Sequence, residues 1–135
     1  AASRLTSLRD DEVVGELLGL GPNSWALSTL QINPDMAFRR TDMVGDYYIY
    51  AQAASLAIAT IDAEMVVSAA ARLKYCQPAY IGEKIVARSK VGTHKGNKYV
   101  VSVHSKIGER EIFVGRFVVA AIDNHNTEKL GDEKC

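Results

Sequence analysis

The amino-acid sequence predicts an α+β domain in which one antiparallel sheet wraps around a single long helix. Residues 47–61 form a nearly continuous apolar stretch rich in alanine, which favours a helix that is buried on every side. The segments on either side instead alternate apolar and polar residues with the two-residue period of half-buried strands. Since this is the one long helix in the pattern, we expect it to fill the concave face of a curved sheet.

The strands are predicted on both sides of the helix. Two strands, at 13–20 and 25–32, are joined by a turn at Gly21-Pro22-Asn23. Four strands follow the helix: the first spans 65–73, the next two flank a hairpin tip at 94–97, and the last spans 112–122. Two strands, a buried helix and four strands make up the hotdog fold. The exposed edges of such a sheet predict a homodimer.

The chain has 135 residues, which suits one domain with one core. Leu5 and Leu8, three residues apart, predict a short helix or the end of a longer one within residues 1–10. Residues 11–122 are expected to form the folded domain, and 123–135 a polar flexible tail.

Composition excludes several function classes. The formal net charge is zero, which argues against a domain that grips nucleic acid through a broad basic surface. Apolar runs stay shorter than the ~18 residues of a membrane span, so no membrane contact is expected. The two cysteines, Cys76 and Cys135, are poorly placed for a structural disulfide, since Cys135 ends a polar tail. A reducing, cytoplasmic setting is therefore expected.

Metal and nucleotide sites are not expected either. The three histidines, at 94, 104 and 125, show no paired ligand spacing, so no metal site is predicted. The sequence also contains no glycine-rich phosphate-binding motif. No cofactor is therefore expected.

The loop that enters the helix is the strongest candidate for a functional site. Gly45 and Asp46 precede the first predicted turn, where backbone N–H groups lack partners and the helix dipole is positive. A thioester carbonyl oxygen could be held there as in an oxyanion hole. The alternative is that Asp42 or Asp46 only caps the helix and Gly45 only turns the chain.

Other polar residues admit two interpretations each. Arg39 and Arg40 could bind an acidic acyl group or the phosphates of coenzyme A, or they could be solvated loop arginines. Gln52, within the helix, is interpreted as a satisfied core polar group. A basic cluster around one hairpin could attract coenzyme A phosphates or could be solubilising, and it comprises Lys84, Arg88, Lys90, Lys95 and Lys98.

Several segments together resemble the effector domain of the FapR family of malonyl-CoA-responsive repressors of bacterial fatty-acid synthesis. The matching pieces lie between Leu5 and Val119, and they are Asp11-Glu12-Val13-Val14-Gly15-Glu16-Leu17, Tyr50-Ala51-Gln52-Ala53 with Ser55-Leu56-Ala57, Ile61-Asp62, Gly82-Glu83-Lys84-Ile85-Val86-Ala87, and Gly108-Glu109 through Gly115-Arg116-Phe117. The resemblance implies a non-catalytic hotdog dimer that binds an acyl-CoA. It also implies that residues 1–8 end a linker helix, and that DNA is contacted only through a helix-turn-helix segment absent from this chain.

The residues with which this family recognises the acyl group differ here at three positions. The family's malonyl-binding Arg falls on Gly45, the Gly that follows it falls on Asp46, and an Asn of the helix falls on Ala54. Phe38 matches a ligand-contacting Phe of the family. The resemblance thus implies a ligand site formed by Phe38, Arg39, Arg40, Gly45, Asp46, Tyr47 and Ala54. The carboxylate at position 46 favours a neutral acyl group.

The same loop also resembles a group of enzymes. Asp42-Met43-Val44-Gly45, followed by Tyr47 and Tyr48, is similar to the D-x-x-G-x-x-Y/H segment of hydroxybenzoyl-CoA-type hotdog thioesterases. That similarity implies an acyl-CoA thioesterase with Asp42 as nucleophile or general base. A thioesterase group with an acid on the helix is disfavoured, because Ala54 takes that place. The regulator is favoured over the enzyme, since its resemblance spans the chain.

Overall fold

A computed structural model describes residues 13–37 and 43–122. These ranges contain six strands and one long helix, with a short 3-10 helix at Pro34–Met36. The elements follow the predicted order: β1 (Glu16–Gly21), β2 (Trp25–Gln31), α1 (Asp46–Thr60), β3 (Met65–Tyr75), β4 (Lys84–Lys95), β5 (Lys98–Ile107) and β6 (Arg110–Ile122). The segments predicted as a linker helix (1–10) and a tail (123–135) lie outside the described residues.

The six strands form one antiparallel sheet in the order β1-β2-β4-β5-β6-β3. Glycines with positive φ, Gly96 and Gly108, make the tight turns β4–β5 and β5–β6, a conformation that glycine adopts without steric cost. Along β4, buried Ile85, Ala87 and Ser89 alternate with side chains that face away from the core. The sheet therefore has an inner face, which packs on α1, and an outer face.

The helix α1 crosses the inner face, and its buried residues are Ile49, Gln52, Ala53, Leu56, Ala57, Ala59 and Thr60. The prediction that this helix is buried on every side is wrong for the described residues. Tyr47 is exposed, and Ala51, Ala54 and Ile58 are only partly buried. The helix therefore keeps one partly uncovered face of mostly small or apolar residues.

The edge strand β3 is also uncovered. Residues directly opposite each other on neighbouring strands share a face, and Leu73 pairs with Gly115 while Tyr75 pairs with Phe113, both of which are buried on the inner face. Leu73 and Tyr75 nevertheless stay 39% and 41% exposed. The inner face thus continues past the helix onto a strand that nothing among the described residues covers. Within the same residues, no helix is both long enough and apolar enough to cross a membrane.

Candidate functional site

The chain that leads into α1 is fixed by backbone hydrogen bonds on both sides. The Val44 N–H donates to the Ala79 carbonyl oxygen at 2.7 Å, and the Gly45 N–H donates to the Met36 carbonyl oxygen at 3.1 Å. Gly45 is the N-cap residue of α1, with an extended backbone at φ −69° and ψ 146°. Because its N–H is already bonded, Gly45 does not offer that group to a ligand.

The donors at this helix end that lack an acceptor among the described residues belong to the first turn. Asp46 is the first helical residue, so the prediction that it precedes the helix is wrong by one position, and it is not the cap. Gly45, the N-cap residue, has no side chain that could accept a hydrogen bond from the first turn. No acceptor among residues 13–37 and 43–122 is bonded to the Asp46 or Tyr47 N–H. Such unpaired amides, aligned with the positive end of the helix dipole, favour an oxygen that carries negative charge.

A cavity of about 220 Å³ opens beside this helix end. One wall is the start of α1, and the other is the segment that follows β3. Its lining residues are Met43, Val44, Asp46, Ile49, Tyr75, Cys76, Gln77 and Pro78. The segment after β3 is held in place because the Cys76 N–H donates to the Ile112 carbonyl oxygen at 2.8 Å.

Tyr75 supplies a polar group to this cavity that the sequence analysis missed. Its hydroxyl donates to the Asp46 carbonyl oxygen at 3.4 Å, and its ring packs edge-on against Phe113 with centroids 5.0 Å apart. Burial, and then the nearby charges of Asp46 and Tyr50, raise the pKa of Tyr75. The hydroxyl therefore remains a donor at neutral pH. Strand alternation places Tyr75 on the inner face, but nothing in the sequence indicates that this strand end meets the start of the helix.

The predicted site residues are only partly brought together. Asp46 lines the cavity and Gly45 adjoins it, whereas Tyr47 is 71% exposed and packs edge-on against Tyr48. Ala54 lies eight residues further along α1, about 12 Å from Asp46 at the usual helical rise. Four predicted residues lie outside the described ranges, and they are Phe38, Arg39, Arg40 and Asp42.

Gln52 is a buried polar residue at the centre of the core, as predicted. Its side-chain amide donates to Ser28 Oγ at 3.3 Å and to the Ile85 carbonyl oxygen at 3.2 Å. Gln52 Oε1 has no partner among the described residues, so the group is not fully satisfied. These bonds tie α1 to β2 and β4, away from the cavity.

Comparison with known proteins first establishes the fold. An uncharacterized protein, PH1136 from Pyrococcus horikoshii, superposes with a TM-score of 0.80 at 21% identity over 87% of this chain and 90% of that one. The PaaI protein of Escherichia coli gives 0.74 at 11% over 87% and 93%. A hypothetical thioesterase from Streptococcus pneumoniae, solved with coenzyme A, gives 0.74 at 9% over 90% and 97%. These likenesses concern the fold alone, and the predicted hotdog fold is confirmed.

Sequence comparison is more specific. No family model matches the chain. Transcription factor FapR of Thermoanaerobacter sp. (strain X514) is 37% identical over 129 residues, which are 96% of this chain and 64% of that protein. The proteins of the same name from Caldanaerobacter subterraneus and Bacillus cereus (strain AH820) are 39% and 33% identical over 90% of this chain, and 60% and 63% of their own lengths.

The chain thus spans somewhat less than two thirds of these relatives, and the matched part is the hotdog domain. The predicted resemblance is confirmed by identities of 33–39% over at least 90% of this chain. These matches, over 90–96% of this chain and 60–64% of each relative, support a FapR-family effector domain with the hotdog fold.

Proposed function

We propose that this chain is the acyl-CoA-binding effector domain of a transcriptional regulator of fatty-acid synthesis. Relatives named Transcription factor FapR match 90% or more of the chain, which supports the regulatory role. Contact between the regulator and its operator is expected to involve a helix-turn-helix segment that this chain does not include. The proposal on ligand binding has a separate, structural support.

The amides of Asp46 and Tyr47, which have no acceptor among the described residues, are the observation that carries the ligand proposal. Asp46 lines the cavity beside this helix end. A thioester carbonyl oxygen is a suitable acceptor for these groups, because polarisation of the carbonyl places partial negative charge on the oxygen at the positive end of the helix dipole. The Tyr75 hydroxyl lies beside them, with its proton donated to the Asp46 carbonyl oxygen. Holding the thioester in this way requires no catalytic group.

The acyl group is proposed to be neutral. Gly45 and Ala54 lack the polar groups that the family resemblance implies at these positions, and the Asp46 carboxylate stands at the cavity wall. A second carboxylate placed within about 6 Å would be repelled by Asp46. Malonyl-CoA is therefore expected to bind no more tightly than acetyl-CoA.

Calorimetric titration with the two thioesters tests this proposal. The wild-type chain should bind acetyl-CoA and show no preference for malonyl-CoA, and Asp46→Asn should shift the ratio of affinities towards malonyl-CoA. Asp62→Asn is the matched control, because Asp62 is an exposed acid beyond the other end of α1, and it should leave the ratio unchanged. A tight, malonyl-selective wild-type site would contradict the proposal and would point to Arg39 or Arg40 as the group that binds the carboxylate.

A thioesterase is the second candidate, because the Asp42-x-x-Gly45 segment leads directly to the amides of Asp46 and Tyr47. Cleavage of short, aromatic and long acyl-CoAs by the wild type should be undetectable for a regulator. Turnover that Asp42→Asn abolishes while binding persists would establish the enzyme instead, since an amide can neither attack nor accept the proton. Turnover unaffected by Asp42→Asn would place the catalytic group elsewhere.

The assembly is proposed to be a homodimer that covers the uncovered side of the sheet. The inner-face residues Ala71, Leu73 and Tyr75 of β3 are exposed beside the partly uncovered face of α1. A second copy related by twofold symmetry can pair its β3 edge with this one and cover both surfaces. The cavity at the start of α1, which Tyr75 lines, would then lie close to the interface.

Sedimentation at micromolar concentration tests the dimer. The wild type should sediment as a dimer and Leu73→Asp as a monomer, because the substitution places a charge on the inner face of β3. Val67→Asp is the control: Val67 pairs with Ala120 on the opposite face of the same strand and is likewise exposed. A monomeric wild type, or equal disruption by both variants, would contradict this arrangement.

A further inference from the structure

The outer face of the sheet carries a concentration of basic residues. Within the four strands β3, β4, β5 and β6 themselves, without the segments between them, Glu111 is the one acidic residue. All the other charged residues of these strands, apart from histidine, are Lys or Arg. Six of them form what we call the basic face: Arg72, Lys74, Arg88, Lys90, Lys106 and Arg116. All six are exposed. The zero net charge of the chain thus conceals a separation of charges, and the expectation drawn from net charge does not apply to this face.

The strand register places five of these six residues in two rows across the sheet, and Lys106 lies beyond the rows, opposite Glu111. Opposed pairs place Trp25, Lys90, Ser102, Arg116 and Arg72 in the first row. The second row consists of Leu27, Arg88, His104, Val114 and Lys74 in the same strand order. Strands lie about 4.8 Å apart and alternate residues of a strand about 6.8 Å apart. Within the rows, Arg116 and Arg72 are therefore one strand spacing apart, Lys90 and Arg116 are two apart, and Arg88 and Lys74 are three apart.

The arrangement is only partly neutralised, because Glu111, opposite Lys106, is the one acid within these four strands. Arg72 and Arg116 stand directly opposite each other, and like charges in that position destabilise a sheet. No acid among the described residues pairs with either of them at salt-bridge distance. Glu111, the acid of these strands, is already engaged by His104 Nδ1 at 2.9 Å. The repulsion between the two arginines therefore has no structural compensation in this part of the chain.

The shape of the basic face limits which partners can bind to it. A shallow groove of about 720 Å³ runs between β4 and β5, lined by Val86, Arg88, Lys90, His104, Lys106, Gly108 and Glu111. At its far side the Trp25 indole lies against β1, where a Cβ added at Gly21 would come within 2.2 Å of the indole Nε1. The glycines of β1 thus let the ring lie flat instead of projecting outwards. A second hollow of about 410 Å³ separates it from Arg88 and Lys90.

These features distinguish among anionic partners. A membrane surface is bound by aromatic and aliphatic side chains that insert between lipids, and Trp25 is laid flat on the strand. A protein interface generally has an apolar centre, whereas the rows here have Ser102 and His104 in the middle, with Lys or Arg on both sides. Exposed Lys and Arg suit the phosphate groups of a nucleic-acid backbone.

We propose that the basic face binds the phosphate backbone of duplex DNA without regard to base sequence. This contact is additional to any made by a helix-turn-helix segment, and it departs from the expectation that DNA is contacted only through that segment. It does not depend on the acyl-CoA site, which lies at the start of α1 on the other side of the sheet. Neutralising about four phosphates predicts a slope near −3.6 for the logarithm of the association constant against the logarithm of salt concentration.

The chain contains one tryptophan, Trp25, which makes the test direct. The 135-residue chain is titrated with a duplex of about 20 base pairs of arbitrary sequence at several salt concentrations. Binding is followed by anisotropy of labelled DNA and by the emission of Trp25, which borders the basic face. We expect saturable binding that changes the Trp25 emission and weakens with salt at the predicted slope.

The decisive comparison is between two double charge reversals. Arg88→Glu with Lys106→Glu should lower the affinity by at least tenfold and reduce the salt slope. Lys95→Glu with Lys98→Glu makes the same change of charge at the β4–β5 hairpin tip, about 20 Å away along the strands, and should retain most of the affinity. Circular dichroism and thermal unfolding of both variants establish that each is folded before affinities are compared.

Several results would overturn the proposal. These are no binding of duplex at low salt, equal loss in the two double variants, or binding that leaves the Trp25 emission unchanged. Tighter binding of polyglutamate, of anionic phospholipid vesicles or of single-stranded DNA would assign the face to another partner. Loss of acyl-CoA binding in the variant with Lys95→Glu and Lys98→Glu would not count against DNA binding by the basic face. Failure of the acyl-CoA proposal and failure of the DNA proposal are therefore distinguishable.

Discussion

Replacing Gln52 by methionine should cost a modest amount of stability and leave ligand binding intact. Methionine approximates the size of glutamine but removes both donors and the acceptor of the amide. Gln52 is fully buried, and its amide bridges α1 to Ser28 Oγ and to the Ile85 carbonyl oxygen. The substitution therefore tests whether a buried polar link between helix and sheet stabilises this core.

Opposing contributions determine the magnitude. Loss of two neutral hydrogen bonds costs about 0.5–1.5 kcal/mol each. Removal of Gln52 Oε1, which is buried with no partner among the described residues, recovers about 1–3 kcal/mol. The substitution also leaves the buried Ser28 hydroxyl without its donor, which costs about 1–2 kcal/mol. The expected net destabilisation of Gln52→Met is about 1 kcal/mol.

A double-mutant cycle measured by urea unfolding isolates the link. Gln52→Met and Ser28→Ala together should cost less than the sum of the single changes by about 1 kcal/mol, because the double variant leaves no orphaned hydroxyl. Ser102→Ala, on the outer face, is the control and should be additive with Gln52→Met. If the effects of Gln52→Met and Ser28→Ala are additive, the hydrogen bond between Gln52 and Ser28 does not stabilise the core as proposed. A loss of acyl-CoA affinity greater than about tenfold, with stability retained, would instead make Gln52 a ligand-binding residue.

Three further predictions concern single side chains. Gly21→Ala should displace the Trp25 indole, because the new Cβ would overlap its Nε1, and the fluorescence emission should shift to longer wavelength; an unchanged spectrum would contradict the flat packing. The hydrogen bond from His104 lowers the pKa of Glu111 below its ordinary value of 4.5. The stabilisation that ionised Glu111 contributes is therefore present above pH 4.5 and is lost as pH falls through the lower pKa of the folded state. His104→Ala should raise the pKa of Glu111 in an NMR titration. Burial raises the pKa of Tyr75 above its ordinary value of 10.0. The contribution of Tyr75 to stability is therefore present below pH 10.0 and is lost as pH rises through the higher pKa of the folded state. Tyr75→Phe should make the free energy of unfolding less dependent on pH in that range.

The order of the elements could be predicted from the sequence because each has a local signal. Alternation of apolar and polar residues in β4 and β5 matches the observed alternation of buried and exposed side chains. The alanine-rich stretch forms α1 within one residue at each end. Its burial on every side was predicted from composition, and this was wrong because composition does not show that the sheet extends past the helix.

The candidate site could be predicted only on one wall. Gly45 and Asp46 were identified because a helix start has unpaired amides wherever it occurs. Tyr75, Cys76 and Gln77 were missed because they are about 30 residues away in sequence and meet the helix only through the position of β3 at the sheet edge. Arg88 and Lys90 of the basic face were identified in the sequence as part of a basic hairpin cluster. Arg72 and Arg116 were missed for the same reason as Tyr75, since only cross-strand register places them beside each other.

The proposal that the start of α1 holds the carbonyl of an acyl-CoA can be tested by the amide NMR spectrum of the chain titrated with acetyl-CoA and, separately, with free coenzyme A. We expect acetyl-CoA to shift the Asp46 and Tyr47 amide signals far more than free coenzyme A does, because only the thioester supplies an oxygen to these donors. Unshifted Asp46 and Tyr47 amides at saturating acetyl-CoA, or equal shifts with free coenzyme A, would contradict it.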